Sequence, residues 1–327
     1  MSSAYAATYY SKATGLNANS TSSWTTARDG SGTSPSNFTT AGDVFTIQNS
    51  HTLPMNGSWS VTGNLSIESG GTLTVSRAIT MGGTTTISGT LNITTTTGTR
   101  QFTGLLTINS GGTWNNGTVT EPINFRGGVT NNGTFTAGAG VYTFNTNNQT
   151  INGTLSIPNV TVTGVTLTNN GTLSVTTALA GTGGLTQSSG SVLNIGGPTT
   201  TAITILTLTA TAAGNTVNYN GAAQTLKATT YDNLTLSGTG AKTFPSGTTT
   251  VNNVLSIENG TNTNTFTGTL AYGTAATLQY NAGSSNRTVA AEWPATFSGS
   301  GGVIVKGTGT ITLNGAKTYK CKCTFNN

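Results

Sequence analysis

The 327-residue sequence predicts an all-β fold, a parallel β-helix (β-solenoid) with coils of about 18–23 residues and an N-terminal cap. Three observations carry that expectation. A short phrase, Gly-Thr-Leu-polar-apolar, returns at Gly71 (GTLTV), Gly89 (GTLNI), Gly112 (GTWNN), Gly133 (GTFTA), Gly153 (GTLSI), Gly171 (GTLSV) and Gly190 (GSVLNI), in steps of 18, 23, 21, 20, 18 and 19 residues. Threonine, valine, isoleucine and leucine alternate in short runs divided by glycine and asparagine, and no window has the period of a helix. Only 34% of the residues are hydrophobic and 6% charged, against about 25% charged in ordinary soluble proteins. Such a chain cannot fill one large core, whereas a narrow coil needs only a few inward side chains per turn. Disorder is excluded, because it calls for high net charge or much proline, and here the formal charge is +5 with seven prolines.

Residues 1–55 do not follow the twenty-residue ruler and are expected to form a cap that merges into the first strands at GDVFTIQNSHTL, Gly42 to Leu53. A solenoid must cover the open backbone of its first coil, so its terminal repeat is atypical. Residues 56–327 are expected to form the solenoid. Alternation along a strand sends successive side chains to opposite faces. It therefore places Leu65 and Ile67, Leu73 and Val75, Leu91 and Ile93, Leu155 and Ile157, Leu173 and Val175, Leu234 and Leu236, and Leu255 and Ile257 inward. Eight Asn-Gly pairs, among them Asn132-Gly133, Asn152-Gly153 and Asn170-Gly171, are also the strongest hairpin signal. A row of antiparallel sandwiches is thus the rival fold. These three pairs lie 20 and 18 residues apart, longer than the usual hairpin rhythm of about 8–12. That spacing favours coil corners, where stacked asparagines could form ladders. A longer phrase overlies the short one: FNTNNQTI from Phe144, YNGAAQTL from Tyr219 and YNAGSSNRTV from Tyr280 are 75 and 61 residues apart, close to four and three coils.

GDVFTIQNSHTL followed by GNLSIESGGTLTV, and later YDNLTLSGTGAKTF and FSGSGGVIVKGTGTITLNGAKTY, resemble the parallel β-helix modules of large secreted and cell-surface, adhesin-like proteins of Bacteroidota. The resemblance covers most of the chain and rests on structural motifs. It implies surface display or adhesion and supplies no catalytic residue. Such proteins are usually exported by the type IX system through a C-terminal sorting domain. That domain is not found between Met1 and Asn327, so the resemblance implies that route for a longer chain of which this is a segment.

Candidate chemistry is sparse. The seven acids are Asp29, Asp43, Glu68, Glu121, Asp232, Glu258 and Glu292, and only Asp29 and Asp43 lie within twenty residues of each other. Glycosidic hydrolysis needs two positioned carboxylates. Glu68 and Glu121 are 53 apart and Glu258 and Glu292 are 34 apart, neither a multiple of one coil. Asp43, His51 and Arg28 form the one mixed cluster and are expected to build a hydrogen-bond network in the cap. No catalytic residue is assigned. His51 is the only histidine, and Cys321 and Cys323 in the terminal CKC point the same way on a strand, so neither a metal site nor a cofactor is expected. The CKC instead suggests that natural sequence continues past Asn327. Trp114 replaces the inward leucine of the repeat and is expected in the core, whereas Trp293, in AAEWPATF, is the one binding candidate, a surface-loop ring for stacking on a sugar. Thr84/Thr86, Thr166/Thr168 and Thr207/Thr209 raise ice binding, but their phase along the coils is poor.

The twelve Lys and Arg are scattered apart from Lys317, Lys320 and Lys322, a solvated chain end, so nucleic acid is not an expected partner. No apolar run reaches the ~20 residues of a membrane span. Ala4-Tyr5-Ala6 is similar to a signal-cleavage site without the basic and apolar stretch that should precede it. The functional expectation is a non-enzymatic structural or adhesive segment of a larger extracellular or cell-surface protein, with surface glycans or other cell-surface proteins as partners. The alternative is a carbohydrate-binding or carbohydrate-degrading β-helix, and ice binding is the third reading.

Overall fold

The computed structural model describes residues 6–94, 97–117, 119–197, 203–258, 264–319 and 323–326. Among them the structure is β throughout, apart from one 3₁₀ turn at Thr21–Ser23. The chain divides into two compact units, Met1–Leu167 and Thr168–Asn327. Cys321, Lys320 and Lys322 lie outside the described residues, and Cys323 begins the strand Cys323–Asn326.

In the first unit the five coils between Val44 and Asn145 each contribute one strand to each of three columns, and the pairings between them are parallel. The first column runs Val44–Ile47, Asn64–Ile67, Thr85–Ile87, Leu106–Ile108, Val129–Asn131 and into Gln149–Thr163. The second stacks Leu53, Leu73, Leu91, Trp114 and Phe135 in register, at steps of 20, 18, 23 and 21 residues. The third runs from Trp59–Val61 through Ile79–Met81, Arg100–Phe102 and Ile123–Phe125 to Val141–Asn145 and the end of Gln149–Thr163. The phrase read from the sequence is therefore one strand of one coil. Its glycine is demanded by stacking: a Cβ on Gly89 would run into the Gly71 carbonyl, and one on Gly112 into that of Ile87.

The second unit repeats the plan. Leu173, Leu193, Val217, Leu234, Leu255, Leu278 and Val303 stack in one column, and Val175, Ile195, Tyr219, Leu236, Ile257, Tyr280 and Val305 form the row beside them. Tyr219 and Tyr280 are thus three coils apart, as their spacing predicted. The inward residues expected from alternation are all buried, at 0–1% exposure. Two details differ from the sequence reading. GSVLNI carries an extra residue, so that Val192, not Ser191, opposes Thr172. Asparagine ladders do form, Asn115 Nδ2 donating to Asn92 Oδ1 at 3.1 Å and Asn218 Nδ2 to Asn194 Oδ1 at 3.2 Å, but they lie on outer strand faces, not at the Asn-Gly corners. At two corners it is the preceding residue, Asn131 or Asn169, that is buried and accepts the amide of Gly133 or Gly171.

The longer phrase encodes a buried glutamine that closes a corner. Gln149 Oε1 accepts from Gly128 N, and its Nε2 donates to the carbonyls of Phe125 and Asn145. In the next copy Gln224 does the same with Gly221 N, Ile195 O and Gly197 O. Its partner in the following coil, Lys242 of GAKTF, points its Nζ at Gln224 Oε1 and the carbonyls of Gly221 and Ala222, each within 2.8 Å.

At the N-terminal end, Thr8–Ser11 pairs parallel with Val44–Ile47 and antiparallel with Trp24–Thr25. The pairing with Trp24–Thr25 runs against the parallel order of the coils above it. Trp24, fully buried, packs its ring at 5.3 Å from Phe45 and 5.6 Å from Trp59, and Phe38 closes over both. An aromatic plug so covers the first coil's apolar end, and the reversed strand covers its hydrogen-bonding edge.

Candidate binding groove

Any acid–base chemistry would depend on the carboxylates, and each is tied into the fold. Asp43 Oδ1 accepts the backbone N–H of Ala7 at 2.8 Å, and Asp29 holds the turn to Ser31. Glu68 is paired with Arg28, whose guanidinium also lies 4.5 Å above the Tyr10 ring. This partner holds the Glu68 carboxyl below the usual carboxylate range. Glu121 faces Arg100 at 3.7 Å, and Glu292 faces Arg287 at 3.4 Å. Asp232 accepts from Gly214 N and Asn233 Nδ2, and Glu258 from Ser256 Oγ and Asn281 Nδ2. All seven acids therefore have structural partners.

The cap network expected around Arg28 and His51 exists with a different membership. Gln48 links it, donating through Nε2 to the carbonyls of Ser11 and Arg28, while Ser11 Oγ bonds to His51 Nδ1 at 2.8 Å. Glu68 is the acid in this network. Asp43 lies beyond the other end of the strand Val44–Ile47.

Trp114 is in the core, as expected. Trp293 is not a surface-loop ring: it is 4% exposed, stacked on Tyr280 at 5.9 Å, and its carbonyl accepts from Lys317 Nζ. Burial to that degree leaves the indole no open face for a sugar. Thr84 and Thr86 lie in and beside the first-column strand Thr85–Ile87, where Thr86 is in register with Ser66 and Thr107.

The structure opens a different place. The second column of the first unit ends at Thr134–Thr136, which has a partner strand on one side only. The cause is a change in coil size. Asn131 opposes Gly153 and Tyr142 opposes Val160, so the path from first to third column takes eleven residues in one coil and seven in the next. The shorter coil runs as one unbroken strand, Gln149–Thr163, and cuts the corner at Gly153, whose φ of 80° is one that side-chain-bearing residues rarely adopt and where a Cβ would run into the Asn131 carbonyl. Between this strand and Thr134–Thr136 lies a groove of about 500 Å³, lined by Asn131, Asn132, Gly133, Thr134, Phe135, Gly153, Thr154 and Ser156.

Each lining group has a defined state. Asn131 is committed, its Nδ2 donating across the groove to Thr154 O at 2.6 Å. Asn132, Thr134, Thr154 and Ser156 are exposed. The half-buried Phe135 ring lies flat on Trp114, centroids 5.5 Å apart and planes at 4°. Thr134 N–H and Thr136 C=O bond toward the preceding coil, to Gly112 O and Asn116 N. In a parallel ladder alternate residues bond to the same side, so Phe135 directs its N–H and C=O into the groove. No lining residue is charged. Sequence reasoning did not find this site, although one signal was present: GTFTAGAGVYTF reaches its next inward aromatic later than GTLSIPNVTV reaches its next inward valine. Compared with protein-family models, curated proteins and solved structures, the chain has no significant match.

Proposed function

We propose that this chain is a non-enzymatic structural or adhesive β-solenoid segment of a larger extracellular protein, one that spaces or presents a binding surface. The observation that supports this reading is the engagement of all seven carboxylates in caps, turns and ion pairs. A glycosidase or lyase needs a carboxylate pair or an equivalent acid and base free to exchange protons with substrate. Here each carboxylate stabilises a coil instead, and the outward rows, such as Thr52, Thr72, Thr90, Thr113 and Thr134, carry neutral hydroxyls. Surface glycans and cell-surface proteins are the partners suited to such walls.

The test is a paired assay. Plant, algal and bacterial polysaccharides incubated with the purified chain should yield no new reducing ends, and beads coated with the chain should adhere to glycan-bearing surfaces. Reducing ends that rise with protein and fall in Glu258→Gln or Glu292→Gln would promote the carbohydrate-degrading alternative.

A further inference from the structure

We propose that the groove between Thr134–Thr136 and Gln149–Thr163 binds an uncharged glycan chain. The inference rests on the adhesive reading and names the site and the ligand class. Its volume of about 500 Å³ falls within the usual range for ligand sites, about 300–1,000 Å³. Three features of the lining select the ligand.

The first is an aromatic floor held from below. Trp114 lies flat against Phe135 and Tyr142 approaches it at 6.1 Å, which restrains the ring from below and from one side. The negative face of such a ring attracts the polarised C–H edges of a pyranose. The second is a set of short polar groups around that ring: Asn132, Thr134, Thr154 and Ser156 are exposed at the groove, and Phe135 adds a backbone donor and acceptor. A sugar ring presents hydroxyls around an apolar face, which matches polar side chains around an aromatic one. The third is the absence of charge in the lining, which gives no preference for an anionic ligand.

An extended peptide is the natural rival, since strand edges recruit strands. The open edge is too short for it. Thr134–Thr136 spans three residues, of which only Phe135 faces the groove, so an added strand would gain a single rung of pairing. The coil that follows, fixed to the neighbouring columns through Ile151 and Val160, blocks its continuation.

Calorimetric titration with soluble, neutral hexose and N-acetylhexosamine tetrasaccharides tests the proposal, with tryptophan fluorescence as a second readout because Trp114 underlies the floor. The expected result is saturable binding of at least one of them. Phe135→Ala should weaken it tenfold or more, and Asn132→Ala or Thr154→Ala severalfold. Phe135→Leu keeps apolar volume on Trp114 while removing the aromatic face, so a folded Phe135→Leu protein with lost binding separates recognition from stability. Thr80→Ala, on the outer face of the third column, should change nothing. Failure of every tetrasaccharide to bind, equal binding by Phe135→Leu, or preference for extended peptides would overturn the proposal. Bead adhesion that survives Phe135→Leu would sink the groove alone and leave the adhesive reading standing.

Discussion

Tyr142 and Tyr219 show what burial in a narrow coil does to one side chain. Tyr142 Oη donates to Asn116 Oδ1 at 2.9 Å and accepts from Gly138 N, while Tyr219 Oη accepts from Lys227 N and is hydrogen-bonded at 2.9 Å to Tyr231 Oη, which itself donates to Lys227 O. Burial pushes both phenols up to about 12 from an ordinary 10.0. The folded value exceeds the unfolded one, so their contribution to stability is complete below pH 10 and is lost as pH rises through 12. Every tenfold difference in proton affinity between the folded and unfolded chain corresponds to roughly 1.4 kcal/mol. Lys242 acts in the opposite sense: burial lowers its ammonium to about 8 from 10.5, so stability gains across that window. Thermal melts across an alkaline series should therefore hold up to about pH 10 and then fall steeply by pH 12, with the last phenolate absorbance appearing only as the chain unfolds. Free titration of every tyrosine near pH 10 in the folded chain would contradict the burial. Sequence alone could not supply these assignments. Lys242, Gln224 and Arg100 occupy inward positions where alternation predicts an apolar residue, and their partners are mostly main-chain carbonyls that come within reach only once the coil closes.

At the scale of the strand, two-residue alternation is the rule the sequence stated most openly. In Thr172–Ala180, Leu173 and Val175 face the core and Thr172 and Ser174 face outward. Leu173→Asp would bury a charge with no partner, costing several kcal/mol, whereas Thr172→Asp, one residue away, should stay within about 0.5 kcal/mol. Thermal melting of the two variants checks this, and similar midpoints would show the register to be wrong. The inward leucines were legible because polar and apolar residues separate cleanly by parity. The groove was not, because it arises from a difference of length between two neighbouring coils, eleven residues against seven from Asn131 to Tyr142 and from Gly153 to Val160. Its one trace, the later return of an inward residue after GTFTA than after GTLSI, is a difference between two segments and not a motif of either. Trp293 was misplaced for a related reason: its surroundings lack the repeat phrase, and only the pairing of Thr296–Phe297 with Thr318–Tyr319 shows that this stretch is still part of a coil.

For the whole chain, the central claim is that successive coils stack strand on strand in parallel: the Gly-Thr-Leu-polar-apolar copies from Gly71 to Gly133 form one column, and those from Gly171 and Gly190 belong to another. Low hydrophobicity, rare charge and frequent glycine then have one cause: each coil buries few side chains, uses its ions as internal ties, and brings backbone close to backbone. The most direct measurement is disulfide trapping in a Cys321→Ser/Cys323→Ser background. Asn92 and Asn115 are neighbours in register, and Asn115 and Thr136 are the next such pair. Adjacent strands lie about 4.8 Å apart, within the Cα separation of about 4.4–6.8 Å that a disulfide spans. The Asn92→Cys/Asn115→Cys protein should oxidise to an intramolecular bridge, while Asn92→Cys/Thr136→Cys, two coils and about 9.6 Å apart, should remain reduced. Failure of the first pair to close, or closure of the second in its place, would contradict the stacking of coils from which the functional reading follows.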